Sequence, residues 1–174
     1  HQALLATALR SLPPGVEWRE FDLRDVPFYD GDVEAAGDPE PVLRLKQAVR
    51  DADAVLFAVP EYNGGIPAVL KNGIDWASRR YPESPLRGKI AAVIGASPGR
   101  SGTRAAQEHL WRVLRRVGVV SAGAPEFALE RARDVIEDGG VVSPDVRADL
   151  VAVVEALAEA VRTCADCGSG AAAG

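Results

Sequence analysis

The sequence predicts one α/β domain in which helices cover both faces of a parallel sheet, giving three layers. Two short apolar runs, 52–59 and 89–96, are continuous rather than alternating, which is typical of parallel strands buried on both faces. Each run leads through a loop containing Gly and Pro into apolar residues at helical spacing. This alternation favours a doubly wound sheet. The chain has 174 residues, 47% of them hydrophobic, which is enough to bury the core of one such domain.

Charge and composition argue against two classes of partner. The net charge is −5, and lysines and arginines form no stripe, so neither nucleic acid nor an anionic membrane is an expected partner. No stretch reaches the roughly 18 apolar residues of a membrane span, and the first residues lack the charged and then apolar pattern of a signal peptide. We therefore expect a cytoplasmic protein, with a leader before His1 as the alternative.

The chain opens on a helix, where an α/β domain normally opens on a strand. Apolar residues between Ala3 and Leu9 fall on one helical face, and Pro-Pro-Gly at 13–15 ends the pattern. A βαβ unit places a strand before such a helix. We therefore expect the first strand to be absent from this chain, which would then be an amino-terminally trimmed form of a longer protein.

The next segments predict an edge strand, a loop and the start of a helix. Residues 16–23 alternate apolar and charged side chains, the period of a strand with one wet face. Pro and Gly within 24–32 predict a loop, in which Phe28 and Tyr29 pack against the domain or, alternatively, line the rim of a pocket. Asp38 has the position of an N-cap for the helix that follows.

The loop between the first apolar run and its helix is the most informative stretch. Residues 60–67 include two prolines, two glycines and an asparagine, so the backbone can adopt positive φ and expose N–H groups. In an open α/β sheet, ligands bind in loops at the carboxyl ends of strands. An ordinary turn with a half-buried Tyr62 is the alternative. The following helix is expected over 67–78, with Pro67 in its first turn, and the strand at 52–59 is expected to be central.

A second loop of this kind, 97–102, joins the strand at 89–96 to a helix that ends near Val117. The start of that helix would offer unpaired N–H groups and a partial positive charge to an oxygen-bearing ligand. The loop has neither the Gly-Lys-Ser/Thr ending of a P-loop nor G-x-G-x-x-G spacing, so its pattern alone identifies no phosphate or dinucleotide site. His109, on the same helix, has the setting of a packing or surface residue.

The last part of the chain predicts secondary structure followed by a tail. Residues 119–138 indicate a weak strand and a helical or extended excursion, and a long amphipathic helix follows. We place the domain at 1–163 and expect 164–174 to be a flexible tail. Cys164 and Cys167 form a CxxC pair there, but no further Cys or His set accompanies them, so two incidental reduced thiols are favoured over a redox or zinc site.

The two loops together resemble those of a known family. Pro-Glu-Tyr-Asn at 60–63, the Leu-Lys-Asn-Gly-Ile-Asp-Trp-Ala-Ser run at 70–78 and Ser-Pro-Gly at 97–99 are similar to the signature of the NAD(P)H-dependent FMN reductases, a family that includes quinone, chromate and azo-dye reductases. The resemblance extends over nearly all of 1–161. It implies a flavodoxin-like doubly wound sheet of strand order 2-1-3-4-5. The first strand and the loop that binds the FMN phosphate would precede His1.

The resemblance also implies an enzyme and its cofactors. Such an enzyme uses FMN, takes hydride from NADPH or NADH, and passes electrons by a ping-pong mechanism to quinones, azo compounds, metal oxyanions or free flavin. The flavin N5 atom carries the chemistry, so we expect no catalytic side chain and no metal. FMN is expected in preference to FAD, since the loops leave no evident site for an adenine. The residues implied to bind FMN are Pro60, Glu61, Tyr62, Asn63, Ser97, Pro98, Gly99 and, as a cation near the ring or the nucleotide phosphate, Arg100.

Two other functions stay open at this point. A flavodoxin-type electron carrier would bind FMN without reacting rapidly with NAD(P)H. A non-catalytic, dimerising remnant would fit a chain whose phosphate loop is missing. The missing loop also predicts that this chain binds FMN more weakly than an intact parent would.

The helix at 67–78 gives an expectation about assembly. Lys71, Asp75 and Trp76 cannot all face the core at helical spacing, so Trp76 is expected to form an apolar surface together with Tyr81. In the resembling family this helix region helps to form a dimer, and a homodimer or homotetramer is expected here. Packing of Trp76 under the following loop of its own chain is the alternative.

Overall fold

A computed structural model of the chain describes residues 2–80 and 82–170, with side chains described as far as residue 165. The helices are α1 (Gln2–Leu9), α2 (Gly31–Ala36), α3 (Glu40–Asp51), α4 (Ala68–Ala77), α5 (Arg104–Arg116) and α6 (Pro144–Gly170). The strands are β1 (Ala54–Ala58), β2 (Ile90–Ala96), β3 (Val120–Ser121), β4 (Phe127–Leu129), β5 (Ile136–Glu137) and β6 (Gly140–Val141). A short 3₁₀ turn, Ala132–Asp134, follows β4.

The main sheet is parallel, as predicted. β1 pairs with β2 in a register that runs from Ala54 beside Ile90 to Ala58 beside Ile94. The other edge of β2 is covered in two pieces, first by β3 and then by β4, so the last row of the sheet is interrupted between them. β5 and β6 form a separate antiparallel hairpin. Both continuous apolar runs therefore form strands, and these strands are neighbours.

Helices cover both faces of this sheet, which confirms the three-layer prediction. Side chains alternate along β2, so that Ala91 and Val93 belong to one apolar core while Ala92 and Ile94 belong to the other. The first core lies between the sheet and helices α3, α4 and α5, and the second lies between the sheet and helices α1 and α6. The largest fully buried side chains are Trp76, Leu110 and Leu114 in the first core and Leu4, Ile94 and Leu150 in the second.

Two expectations about the first strands are wrong. Residues 16–23 alternate like a strand but form none, and no described backbone group pairs with them as a neighbouring strand would. β1, expected to be central, pairs with β2 alone among the described strands, and its residues are half-buried where those of β2 are buried. The resemblance places a strand between these two segments, and that strand is not among the described residues. A sheet strand forms only where a neighbour supplies N–H and C=O partners.

Local capping starts a short helix at the end of the segment predicted as a loop. The Oδ1 atom of Asp30 accepts a hydrogen bond from the N–H of Asp32 at 2.8 Å, which caps the short helix α2. Asp38, the expected cap of the next helix, has a different role, because its carboxylate is buried against Lys46, with Nζ 2.6 Å from Oδ2. Helix α3 instead begins after Pro39 without a side-chain cap. An ion pair has replaced the predicted cap.

The expectation of an apolar surface at Trp76 is wrong, because the indole is fully buried. Its Nε1–H donates to the carbonyl of Pro27 at 2.8 Å, and its ring packs edge-on against Tyr29 with the centroids 5.0 Å apart. Asn72, one turn earlier on α4, accepts from the N–H of Tyr29 and donates to the Pro27 carbonyl, both at 2.8 Å. A segment that precedes α4 in the chain therefore covers Trp76. Tyr81, the other half of the expected surface, lies outside the described residues.

The last helix is longer than predicted. Helix α6 continues to Gly170, so the expected tail is helical over 164–170, and 171–174 lies outside the described residues. Residues 164–167 contain no Pro or Gly that would end the helix at the predicted boundary. Cys164 is an exposed, free cysteine on this helix, and the side chain of Cys167 lies outside the described part. Among the described helices, none is both long enough and apolar enough to cross a membrane.

Candidate functional site

The two loops that contain Gly and Pro lie side by side at one edge of the sheet. Loop A (59–67) follows β1, and loop B (97–103) follows β2. The strands are parallel and in register, so their carboxyl ends lie together. Their pairing continues past the end of β1, where the N–H of Val59 donates to the carbonyl of Ile94 at 2.8 Å. The structure thus brings the predicted residues together from two loops, with Pro60, Glu61, Tyr62 and Asn63 in loop A and Ser97, Pro98, Gly99 and Arg100 in loop B.

Loop A contains a tight hairpin. Tyr62 and Gly65 exchange both of their backbone hydrogen bonds, at 3.1 and 3.0 Å. Between them, Asn63 and Gly64 have φ of +52° and +73°, the left-handed conformation that Asn-Gly adopts in such turns. Both are exposed, and their N–H groups donate to no acceptor among the described residues. Tyr62 is 64% exposed, so the alternative of a half-buried Tyr62 is wrong.

The first half of loop B is fixed by the segment that follows β4. The N–H of Ser97 donates to the carbonyl of Leu129 at 2.9 Å, and the carbonyl of Ser97 accepts from the N–H of Ala132 at 2.9 Å. The carbonyl of Gly99 accepts from the N–H of Arg131, also at 2.9 Å. Because three backbone hydrogen bonds hold it, this half of the loop has a defined position at the sheet edge.

The second half of loop B offers donors to solvent. Arg100 and Ser101 are exposed, and within the described part of the chain their N–H groups have no acceptor. Arg104, at the start of α5, pairs with Glu126 at 3.2 Å and with Glu130 at 2.9 Å. The guanidinium of Arg100 forms no ion pair with a described residue, so it stays available for an anion.

Two glycines allow the start of α5 to approach the sheet. A Cβ at Gly95 would overlap the side chain of Thr103 and would lie 2.7 Å from the carbonyl oxygen of Val59. Gly102 has a φ of +60°, and a Cβ there would lie 2.7 Å from the carbonyl oxygen of Ala128. Both positions therefore require glycine, and α5 begins in contact with the strands on either side of it.

Sequence reasoning missed a buried polar pair beneath loop B. Thr103 and Gln107 are both buried, and Gln107 Nε2 donates to Thr103 Oγ1 at 2.9 Å and to the carbonyl of Phe127 at 2.8 Å. The sequence feature that could have predicted this pair is the presence of two polar residues four positions apart on the helical face that also carries Leu110 and Leu114. The pair connects the end of loop B to β4.

Glu61 connects loop A to α5. Its Oε2 atom accepts a hydrogen bond from the backbone N–H of Ala106 at 3.1 Å. One turn further along the helix, His109 also faces loop A, since a Cβ built at Gly65 would lie 3.5 Å from His109 Nδ1. Both loops are therefore attached to the first turns of the same helix.

Two cavities lie away from these loops. One, of about 440 Å³, opens at the amino-terminal edge of β1 and β2, where Arg50, Arg87 and Lys89 line it together with Asp53. Burial lowers the pKa of Lys89, whose ammonium donates to the carbonyl of Ala52. A groove of about 260 Å³ lies beside α5, where the last row of the sheet is interrupted. Neither lining includes a residue of loop A or loop B.

Known proteins are similar to this chain in sequence or in fold. The model of a family described as NADPH-dependent FMN reductase matches residues 1–134, a range that includes both loops. Over 151 residues the chain is 42% identical to an NAD(P)H-dependent FMN reductase from Pseudomonas aeruginosa, covering 87% of this chain and 81% of that protein. Over 160 residues it is 39% identical to a 2-hydroxy-1,4-benzoquinone reductase from a Burkholderia species, covering 91% and 87%.

A solved structure is similar over the same extent. It is that of a flavoenzyme NAD(P)H:(acceptor) oxidoreductase from Paracoccus denitrificans, which superposes with a TM-score of 0.80 at 37% sequence identity. The match covers 92% of this chain and 88% of that chain.

Proposed function

Because the chain belongs to the NADPH-dependent FMN reductase family, we propose that it is an FMN-dependent oxidoreductase that takes hydride from NAD(P)H and delivers electrons to quinones. One observation carries the proposal: loops A and B present exposed backbone N–H groups, with no described acceptor, at one edge of the sheet. Quinones come first among the acceptors because quinone reductases are among the relatives. Azo compounds, metal oxyanions and free flavin are further acceptors of the proposed enzyme.

The donors of both loops fit the oxygen-rich edge of a flavin ring. Backbone N–H groups at Asn63, Gly64, Arg100 and Ser101 can donate to carbonyl oxygens and to a ring that gains negative charge on reduction. The tip of the turn in loop A is open, since a Cβ built at Gly64 would meet no atom within 4 Å. Neutral, fixed donors suit this task because they stabilise the added charge without a proton transfer.

The side chains of the two loops would orient the ring and the nucleotide. Pro60 and Pro98 restrict the backbone where each loop leaves its strand. Tyr62, with its exposed ring, would pack against the flavin, and Arg100 would meet a phosphate of NAD(P)H. Bound FMN supplies the hydride-accepting N5 atom, so the chain needs no titrating catalytic side chain.

Titration with FMN and an assay with NADPH and a benzoquinone test this function together. We expect saturable binding of FMN, weaker binding of FAD, and quinone-dependent oxidation of NADPH that needs added FMN. Arg100→Ala should raise the KM for NADPH several-fold, whereas Arg50→Ala, at the opposite edge of the sheet, should leave it unchanged. Absence of any flavin binding would contradict the proposal.

The order of the reaction is also part of the proposal. NAD(P)H and the acceptor would use the same open face in turn, which gives ping-pong kinetics. Initial rates measured at several fixed quinone concentrations should then give parallel double-reciprocal lines. Intersecting lines would mean that donor and acceptor bind together. A flavodoxin-type carrier would instead bind FMN and be reduced slowly by NADPH in a stopped-flow experiment.

Assembly as a homodimer or homotetramer stays part of the proposal, but with a different surface. Trp76 is buried, whereas Phe28, which lies between the two residues that cover it, Pro27 and Tyr29, is 81% exposed. Large exposed apolar side chains are common in interfaces. Sedimentation of the wild type and of Phe28→Asp should show loss of the oligomer in the variant, and an unchanged oligomer would place the interface elsewhere.

A further inference from the structure

We infer that Glu61 is a positioning residue that holds loops A and B together through the amino terminus of α5, rather than a group that touches the flavin. That Glu61 caps α5 depends only on the fold. That it positions the flavin-binding loops rests on the proposed function, since it assigns a role to Glu61 at the same site.

Helix α5 begins without a cap of its own. Its N-cap residue, Thr103, forms no side-chain hydrogen bond to the first turn, and that turn contains no acidic residue. The first N–H groups of a helix have no partner within the helix and carry a partial positive charge. The start of α5 therefore needs an acceptor from elsewhere.

Thr103 does not supply that acceptor, because its side chain forms no hydrogen bond to the first turn and is directed into the core. Thr103 is fully buried, and its Oγ1 accepts from Gln107 Nε2 at 2.9 Å. The same Gln107 amide is fixed by a second hydrogen bond to Phe127. The side chain that would normally cap the helix is thus directed into the core, on the side of β4.

Glu61 takes the place of the local cap from 45 positions away in the chain. Its Oε2 atom lies 3.1 Å from the backbone nitrogen of Ala106, the third residue of α5, where capping side chains usually bind. A carboxylate is the preferred group there, since it also compensates the positive end of the helix. Loop A therefore supplies the cap of the helix into which loop B leads.

This arrangement sets the distance between the two groups of flavin donors. Loop B passes directly into α5, so a movement of the helix start would carry the N–H groups of Arg100 and Ser101 with it. The hairpin of loop A faces the same helix again at His109. With the cap in place, both sets of donors are held before a flavin arrives, which lowers the ordering cost of binding.

Amide hydrogen exchange at Ala106, measured without flavin, tests the cap. Glu61→Ala should speed exchange of this amide about fivefold, the ratio that corresponds to the loss of a typical cap. Glu61→Gln should restore most of the protection, because its amide oxygen can still accept. Glu155→Ala, which removes an exposed carboxylate from α6, is the matched control and should change nothing. Unchanged exchange in Glu61→Ala would overturn the cap.

Titration with FMN tests the positioning role. Glu61→Ala should raise the Kd for FMN about fivefold, while at saturating FMN its turnover and the absorption spectrum of the bound flavin should equal those of the wild type. Glu61→Gln should recover most of the affinity. A changed flavin spectrum in Glu61→Gln would mean that the carboxylate touches the ring and would overturn the positioning role. Failure of the wild type to bind FMN would overturn the proposed function, which distinguishes that failure from failure of the cap.

Discussion

Replacing Lys46 by Met should cost far more stability than the same change at Lys71, because only the first ion pair is buried. The Nζ atom of Lys46 lies 2.6 Å from Asp38, and both side chains are 4% exposed. The Nζ atom of Lys71 lies 2.7 Å from Asp75, and these side chains are 42% and 30% exposed. The residue types and the distances match, so the comparison isolates the effect of burial.

The magnitudes follow from what each variant leaves behind. In Lys46→Met the carboxylate of Asp38 stays in the protein interior, and the guanidinium of Arg80, 3.7 Å away, is too far for a good hydrogen bond. Removing one partner of a buried pair costs about 3–5 kcal/mol. The exposed pair at Lys71 contributes about 0.3–0.5 kcal/mol. With a urea slope of about 2 kcal/mol/M, the midpoints should fall by roughly 2 M and roughly 0.2 M.

Urea unfolding followed by circular dichroism measures both losses. The double variant Asp38→Leu with Lys46→Met removes both charges, and it should recover most of the loss, because an apolar pair of similar volume often replaces a buried ion pair without cost. Equal midpoints for Lys46→Met and Lys71→Met would refute the reasoning. So would a double variant that is less stable than Lys46→Met alone.

Three further outcomes are expected. Asn72→Ala removes the side chain that binds the backbone of Pro27 and Tyr29, and should lower the free energy of unfolding in urea by about 1–2 kcal/mol, since two partly buried hydrogen bonds are lost. A loss under about 0.5 kcal/mol would contradict this role of Asn72. Gly95→Ala introduces a methyl group that would overlap the side chain of Thr103, so it should both lower the thermal midpoint and weaken FMN binding. Unchanged values of both would mean that close contact between Gly95 and Thr103 does not fix loop B. The hydrogen bond to Glu34 raises the pKa of Tyr29 above its ordinary value of 10.0, so its contribution to stability is present below that pH and is lost as the pH rises through the native pKa. Tyr29→Phe should therefore lose less stability than the wild type as the pH rises above about 10, and equal pH dependence would exclude this bond as a cause.

Apolar periodicity predicted the elements that form the middle of the domain. The continuous runs at 52–59 and 89–96 became β1 and β2, and helical spacing predicted α4 and α5. These elements follow from local sequence because each one buries a face that its own pattern defines. Loops A and B followed as well, since Gly, Pro and Asn mark the ends of strands.

Local sequence patterns could not predict contacts between residues that lie far apart in the sequence. The spacing around Trp76 predicts a helix, but its burial depends on Pro27, which lies 49 positions away. Asp38 stands at the sequence position of an N-cap, yet its carboxylate forms a buried ion pair with Lys46 of the helix that follows. The 16–23 segment has a strand period but no neighbour to pair with in the described residues. The two loops were predicted, whereas the cap from Glu61 that joins them was not.

Hydrogen exchange with and without FMN, read by peptide mass spectrometry, tests the central claim most directly. The claim is that loops A and B bind the flavin at the carboxyl edge of the sheet. It predicts that FMN slows exchange in peptides covering 60–65 and 97–103, and leaves 84–90, beside the cavity at the opposite edge, unchanged. Slower exchange at 84–90 with no change in either loop would contradict it.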